Sequence, residues 1–321
     1  MRAITALVAL HVSVALFGFA ALFGKWIALS PVAIVFGRTV VAAITLAIVL
    51  RWTKHAAGSP NRVLFLNGAL LALHWVTFFA AIQIATVAIG LLGFASFPVF
   101  VLILERVLHG RRSTLVELSA VGIVVVGLAV IVPEFSWTSR TVQGLAWGVA
   151  SGFTFALLAL RNRALVSGVG ATVLALWQNA FAALWLVPVL ALTAHIAALA
   201  ARDVVLIVLL GVFCTALAHT LFIASLLRIS AHTASVVSIL EPVYGIGWAA
   251  LLLGEWPDFR TMVGGSLIIG AAVLASSPGP EESHAVEVLG ADEYCCATRR
   301  GCSSTTGSGG STAIRHRATT R

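Results

Sequence analysis

Charge is what this sequence has least of: 10% of its 321 residues are Asp, Glu, Lys or Arg, against about a quarter in a soluble domain. That shortage, with 60% hydrophobic residues and a mean hydropathy of +1.03, excludes an ordinary soluble fold and points to a chain that crosses a membrane many times. Cysteine is scarce too. Cys214 stands alone in an apolar stretch, and Cys295, Cys296 and Cys302 lack the paired spacing of a zinc site, so no metal is expected. There is no glycine loop ending in lysine to hold a nucleotide phosphate, and the aqueous loops are too short for a catalytic domain, so neither a cofactor nor an enzyme is expected. The formal charge of +8 lies before residue 281, where 15 Lys or Arg face 7 Asp or Glu. It is spread through loops between apolar runs, which argues against a nucleic-acid partner and for the lipid bilayer.

Apolar stretches of about 20 residues, enough to cross a hydrocarbon core of roughly 30 Å, recur from residue 4 to residue 276. Ten are predicted: 4–24, 32–50, 63–82, 87–108, 115–133, 142–160, 171–193, 204–226, 234–253 and 261–276. The first is too long for a cleaved signal and runs straight on through Lys25, so it reads as a retained span. With the N-terminus inside, cytoplasmic segments hold ten Lys or Arg and the opposite side four. The bias places both termini in the cytoplasm of a bacterial-type inner membrane.

The chain is written twice. "GFASFPVFVLILERVLHG" in the fourth segment is echoed by "VSILEPVYGIGWAALLLG" in the ninth, with Pro98 and Pro242 each twelve residues before a glycine, Gly110 and Gly254. Upstream, Phe78 pairs with Phe222 and Ala80 with Ala224; downstream, Gly122 pairs with Gly265 and Gly127 with Gly270. Each copy holds five spans, an odd number, so the second must enter the membrane from the opposite side. The expected fold is an all-α polytopic membrane protein, a 5+5 inverted repeat of ten transmembrane helices, with copies at 1–133 and 142–276. Such repeats are the architecture of transporters that bind substrate between two rocking halves. Residues 277–321, rich in Gly, Ser and Thr, are expected to form a disordered tail.

These features, with the "LEPV" to "LGE" spacing from Leu240 to Glu255 and an arginine early in the second span, Arg38 in "VFGRTVV", resemble the EamA family of the drug/metabolite transporter superfamily over about residues 5–276. The first copy departs from the pattern: Phe97 stands where the second has Glu241, and Arg111 where it has Glu255. The resemblance implies a secondary active transporter, an exporter or importer of small polar metabolites such as amino acids or their analogues, or of drug-like compounds. The alternative from another class is a non-transporting scaffold or receptor of the same fold.

An ionisable group within a span is costly in lipid and marks a partner or a polar path. Glu241 is predicted inside the ninth span, a candidate for proton coupling, with Pro242 and its counterpart Pro98 as hinges. Its other reading is a structural carboxylate bonded to a hydroxyl such as Ser238. Arg38 offers a planar fork to a substrate carboxylate or to a carboxylate of the protein. His74 and His219 align across the repeat within one residue and are candidates to relay protons or bond substrate, or simply to bond a neighbouring helix. Gln178 aligns loosely with Arg38, and Trp75 and Tyr244 are candidate lining residues, with core packing or lipid anchoring as the alternative. "GGSLIIG", residues 264–270, is a small-residue seam that packs helices within the fold or joins a homodimer.

Overall fold

The computed structural model describes residues 3–109, 115–132, 135–193, 200–229, 234 and 237–275. The tail at 277–321, and with it Gly110, Arg111, Pro133 and His232, lies outside the described residues.

Every described element is helical: α1 Ala3–Trp26, α2 Pro31–Trp52, α3 Arg62–Ile84, α4 Val87–Phe94, α5 Phe97–His109, α6 Leu115–Ile131, α7 Arg140–Val169, α8 Ala171–Thr193, α9 Ala201–Gly211, a π-helical turn Val212–Leu217, α10 Ala218–Ser225, α11 Leu240–Leu253 and α12 Phe259–Ala275. Helices are what apolar sequence must form in lipid, because each backbone N–H and C=O then finds its partner within the segment. Polar residues set the boundaries. Ser30 accepts from the Ala33 N–H at 3.3 Å ahead of Pro31, Asn61 from Leu64 at 2.9 Å, and Thr86 from Ile89 at 3.2 Å, each a side-chain N-cap.

Among the described residues, seven stretches are long and apolar enough to span a membrane, 87–108 and 201–225 included, and three shorter apolar helices cover 118–131, 240–253 and 259–274. The described residues of the predicted segments are largely helical, and three of the segments depart from a regular helix. The ninth does so at a turn at Ile239. The fourth breaks at Ala95 and Ser96 into α4 and α5. The eighth passes through the π turn between α9 and α10.

The candidate hinge prolines each follow a break in their segment: Pro98 is the second residue of α5, after the break at Ala95 and Ser96, and Pro242 the third of α11, just after a turn at Ile239. A first-turn N–H has no intrahelical partner in any case, so proline is tolerated at both places. Glu241 accordingly sits in the first turn of α11, where a negative charge suits the helix dipole. The proline inside a helix is Pro188 of α8, which faces outward.

The packing pairs up. Helix α1 lies against α10 and α11, and α7 against α3 and α4; α2 lies against α9 and the π turn, and α8 against α3; α2 meets α8, and α6 meets α12. Glycines permit the closest approaches. A methyl group on Gly18 of α1 would sit 2.8 Å from the Glu241 carbonyl oxygen, and one on Gly152 of α7 2.9 Å from the Phe94 carbonyl oxygen and 3.3 Å from the Phe97 nitrogen. Gly127 and Gly264 meet in the same way between α6 and α12, and Gly265 lies against Leu92, whereas Gly270 of the "GGSLIIG" seam is exposed with open space beside it.

Candidate functional site

Arg38, about two turns into α2, is fully buried. Its Nε donates to Thr215 Oγ1 at 2.8 Å and one Nη to the Cys214 carbonyl oxygen at 3.0 Å. The plane of the guanidinium lies over Trp75, 3.6 Å from Cζ to the ring centroid, with Phe79 at 5.3 Å. The π turn explains the fit. Widening one turn takes the backbone out of the regular i→i−4 ladder, and the Thr215 hydroxyl, which donates to the Leu210 carbonyl at 2.8 Å, is held as an acceptor for the arginine. The remaining Nη has no partner. A buried charged donor left unpaired is expensive, and bonds from charged donors are among the stronger ones.

Four other groups lie within electrostatic reach of this guanidinium: Glu241, Cys214, His219 and His74. Glu241 is 3% exposed yet forms no ion pair with Arg38 within 4 Å. His219 follows the π turn directly, buried, its Nδ1 unpartnered. His74 lies on α3 beside Ser151 of α7: Nδ1 is 3.2 Å from the Ser151 carbonyl oxygen, and the Ser151 hydroxyl is 3.2 Å from the His74 carbonyl oxygen. An Nδ1–H tautomer satisfies both, the imidazole donating to one carbonyl and the serine to the other. The His74 ring is boxed by Trp75 at 4.7 Å, Phe155 at 4.9 Å, Phe94 at 5.6 Å and Phe78 at 6.1 Å between centroids.

The structure thus brings Arg38, Trp75, His74, His219 and Glu241 together and leaves two candidates apart. Gln178 of α8 donates to Asn162 of α7, which also accepts from Asn67 of α3, whose carbonyl oxygen accepts from Arg161. The Gln178 carbonyl oxygen has no partner. Tyr244 is half-buried on α11, its Cβ against Gly18. Asn67, Asn162, Ser151, Thr215 and the glycines at 18 and 152 are additions to the sequence-based set. The Gly-Phe pairs at 18–19 in α1 and 152–153 in α7, and the polar residues in "FLNGALL" and "TFALLALRN", are the signals for them in the sequence.

Neither of two open clefts reaches the group. One, about 570 Å³, is apolar and runs between α6 and α7 past Leu128, Phe135, Trp137 and Val142. The other, about 340 Å³, lies between the end of α2 and the α7–α8 turn at Gly170.

The family model of the EamA-like transporters matches residues 4–132 and 142–277. The uncharacterized transporter YxxF of Bacillus subtilis (strain 168) is 24% identical over 280 residues, 84% of this chain and 89% of that protein. A crystal structure 16% identical superposes with a TM-score of 0.64, covering 86% of this chain and 97% of the other, which shows a shared fold.

Proposed function

The chain belongs to the EamA-like transporter family, a multi-pass membrane protein of a transporter family, and from that premise we propose that it is a secondary active transporter built as two five-helix copies, 1–133 and 142–276. In this reading ten spans cross a bacterial-type inner membrane with both termini in the cytoplasm. The two copies have opposite orientation and rock about the Arg38 group. The paired packing supports the repeat: α1 on α10 and α11 matches α7 on α3 and α4, and Gly18 at Glu241 matches Gly152 at Phe97.

The observation that carries the function is the unpartnered Nη of a fully buried arginine, between elements of the two copies and clear of the nearest carboxylate. A guanidinium already fixed by Thr215, the Cys214 carbonyl and Trp75 is preorganised for a planar anion, so the substrate is a small metabolite or drug-like compound bearing a carboxylate, an amino acid or analogue among them. Export is the direction proposed. Glu241, buried without a basic partner within 4 Å, is the proposed site of proton exchange, with His219 and His74 in electrostatic reach of the same arginine. A scaffold of the same fold would also pack these helices tightly. It has no use for a buried charged donor and a buried carboxylate brought near each other and left unpaired.

The experiment is a two-step one. A screen for resistance and export in a strain overproducing the protein identifies a carboxylate-bearing compound; purified protein in proteoliposomes then binds and moves it. Arg38→Ala lowers its affinity about 10- to 100-fold, the range of a charge-assisted hydrogen bond. Equal affinity in wild type and variant rejects the assignment.

A further inference from the structure

At the end of the molecule where α1 closes and α2 begins, a charged contact stands apart from the Arg38 group. Helix α11 ends at Gly254, whose φ of 68° is the left-handed conformation that glycine adopts without steric cost. That turn swings Glu255 over the start of α4. Its Oε2 accepts from the Val87 N–H at 2.8 Å, and its Oε1 is 3.7 Å from Lys25 Nζ. Lys25, in the last turn of α1, donates in turn to the Ala85 carbonyl oxygen at 2.6 Å, at the close of α3. Each charge therefore meets both its opposite and the helix end of the complementary sign: carboxylate on the N-terminus of α4, ammonium on the C-terminus of α3. Two further ties, Gln83 Nε2 to the Leu29 carbonyl at 2.9 Å and the Ala28 N–H to the Asp203 carboxylate at 3.5 Å, hold the α1–α2 turn at the same end.

Three points separate this contact from a static staple. It joins α1, α3 and α4 to the turn after α11, so it crosses between the two proposed copies. Both side chains are 24% exposed, so water and salt compete for them and the pair is weak enough to part. And α4, the piece it caps, is an eight-residue half-helix already separated from α5 by the break at Ala95 and Ser96. We propose that Lys25 and Glu255 form a releasable latch that closes the α1–α2 end of the Arg38 site and parts when the site opens to that side. The inference rests on the proposed function only for which face of the membrane that end meets.

Cys214 reports on it without any substrate. Its carbonyl bonds Arg38 and its side chain is buried, so a closed site protects the thiol. With Cys295, Cys296 and Cys302 replaced by serine, a membrane-impermeant thiol reagent is applied to whole cells and to inside-out vesicles, and Cys214 modification is timed. Glu255→Gln and Lys25→Met each speed modification about tenfold, equivalent to about 1.4 kcal/mol in the opening equilibrium, and from the outside. Reversing both charges, Lys25→Glu with Glu255→Lys, does not restore protection, because the Ala85 carbonyl and Val87 N–H fix the sign at each position. Faster modification from the cytoplasmic face alone supports the latch and rejects the orientation under the proposed function. Unchanged rates in both single variants, with the protein eluting and melting as the wild type does, overturn the latch; rescue by the double reversal overturns the role of the helix ends. Should Glu255→Gln not accumulate, Lys25→Met carries the test, since it leaves Glu255 on Val87.

Discussion

Arg38 on α2 reaches the π turn before α10, while Gln178 on α8 reaches Asn162 and, through it, Asn67 on α3; the two groups hold corresponding places in the paired packing of the molecule. One group is charged and keeps a donor unsatisfied against a ring of aromatics; the other is a chain of amides tying three helices, with one carbonyl oxygen left over. Similar packing thus leaves a charged donor without a partner at one place and ties helices together at the other. The same division separates Glu241 from Phe97, which occupy aligned positions just before Pro242 and Pro98. Phe97 stacks on Phe94 at 5.3 Å and meets Phe155 at 5.2 Å, completing a hydrophobic wall, while Glu241 puts a carboxylate near the arginine.

That division is open to attack from both sides. The largest effect is expected at Glu241: Glu241→Gln abolishes flux driven by a pH gradient in proteoliposomes and leaves counterflow exchange of substrate, whereas driven flux at the wild-type rate removes the carboxylate from the coupling step. At the other group, Asn162→Ala strands both Gln178 and Asn67 in a buried setting. It should destabilise the protein by about 2–3 kcal/mol on the cost of unpaired buried polar groups, read as a lower midpoint in thermal melting, with the affinity of the surviving protein for substrate unchanged. A loss of affinity without a loss of stability would move the amide group into the binding site. Next comes Thr215→Val, which removes the acceptor at Arg38 Nε and should weaken substrate binding about fivefold to tenfold, the scale of one such bond; an unaltered affinity denies Thr215 its positioning role.

The smallest effect belongs to a residue outside both groups. Asp258 accepts from the Thr261 N–H at 2.8 Å and caps α12; hydrogen bonds from the Thr261 side chain and backbone hold its carboxyl below the usual carboxylate range. A carboxyl with a lowered folded-state value contributes stability above its unfolded value, and that contribution fades as pH falls through the folded one. Asp258→Ala should therefore cost about 1 kcal/mol at neutral pH, with the gap between variant and wild type closing in acid. A gap that holds constant down to strongly acidic pH would show that charge plays no part in the cap.

Much of the site was legible because polarity is rare in these segments. Arg38, His74, His219 and Glu241 stand out in apolar text, and the repeat related the two histidines before any coordinates did. The details that give the group its chemistry were not legible. The hydroxyl of Thr215 is one of many in the sequence, and nothing local announces that the turn carrying it is π-helical; that depends on packing against α2. Sequence marks Pro242 but not the register around it, the turn at Ile239 and the start of α11 at Leu240. Gln178 aligns loosely with Arg38 in the sequence, but its partner Asn162, and Asn67 bonded to that, are 16 and 111 residues distant in the chain.

By itself, then, the sequence determined that the chain crosses a membrane many times, that it is helical, and where the helices lie. Those properties follow from transfer free energy and backbone satisfaction, which act locally. Tertiary structure alone decided which polar residues meet. Whether a guanidinium faces a carboxylate, an amide or an indole ring depends on the rotation and depth of helices against one another, and on the glycines at 18 and 152 that let them approach.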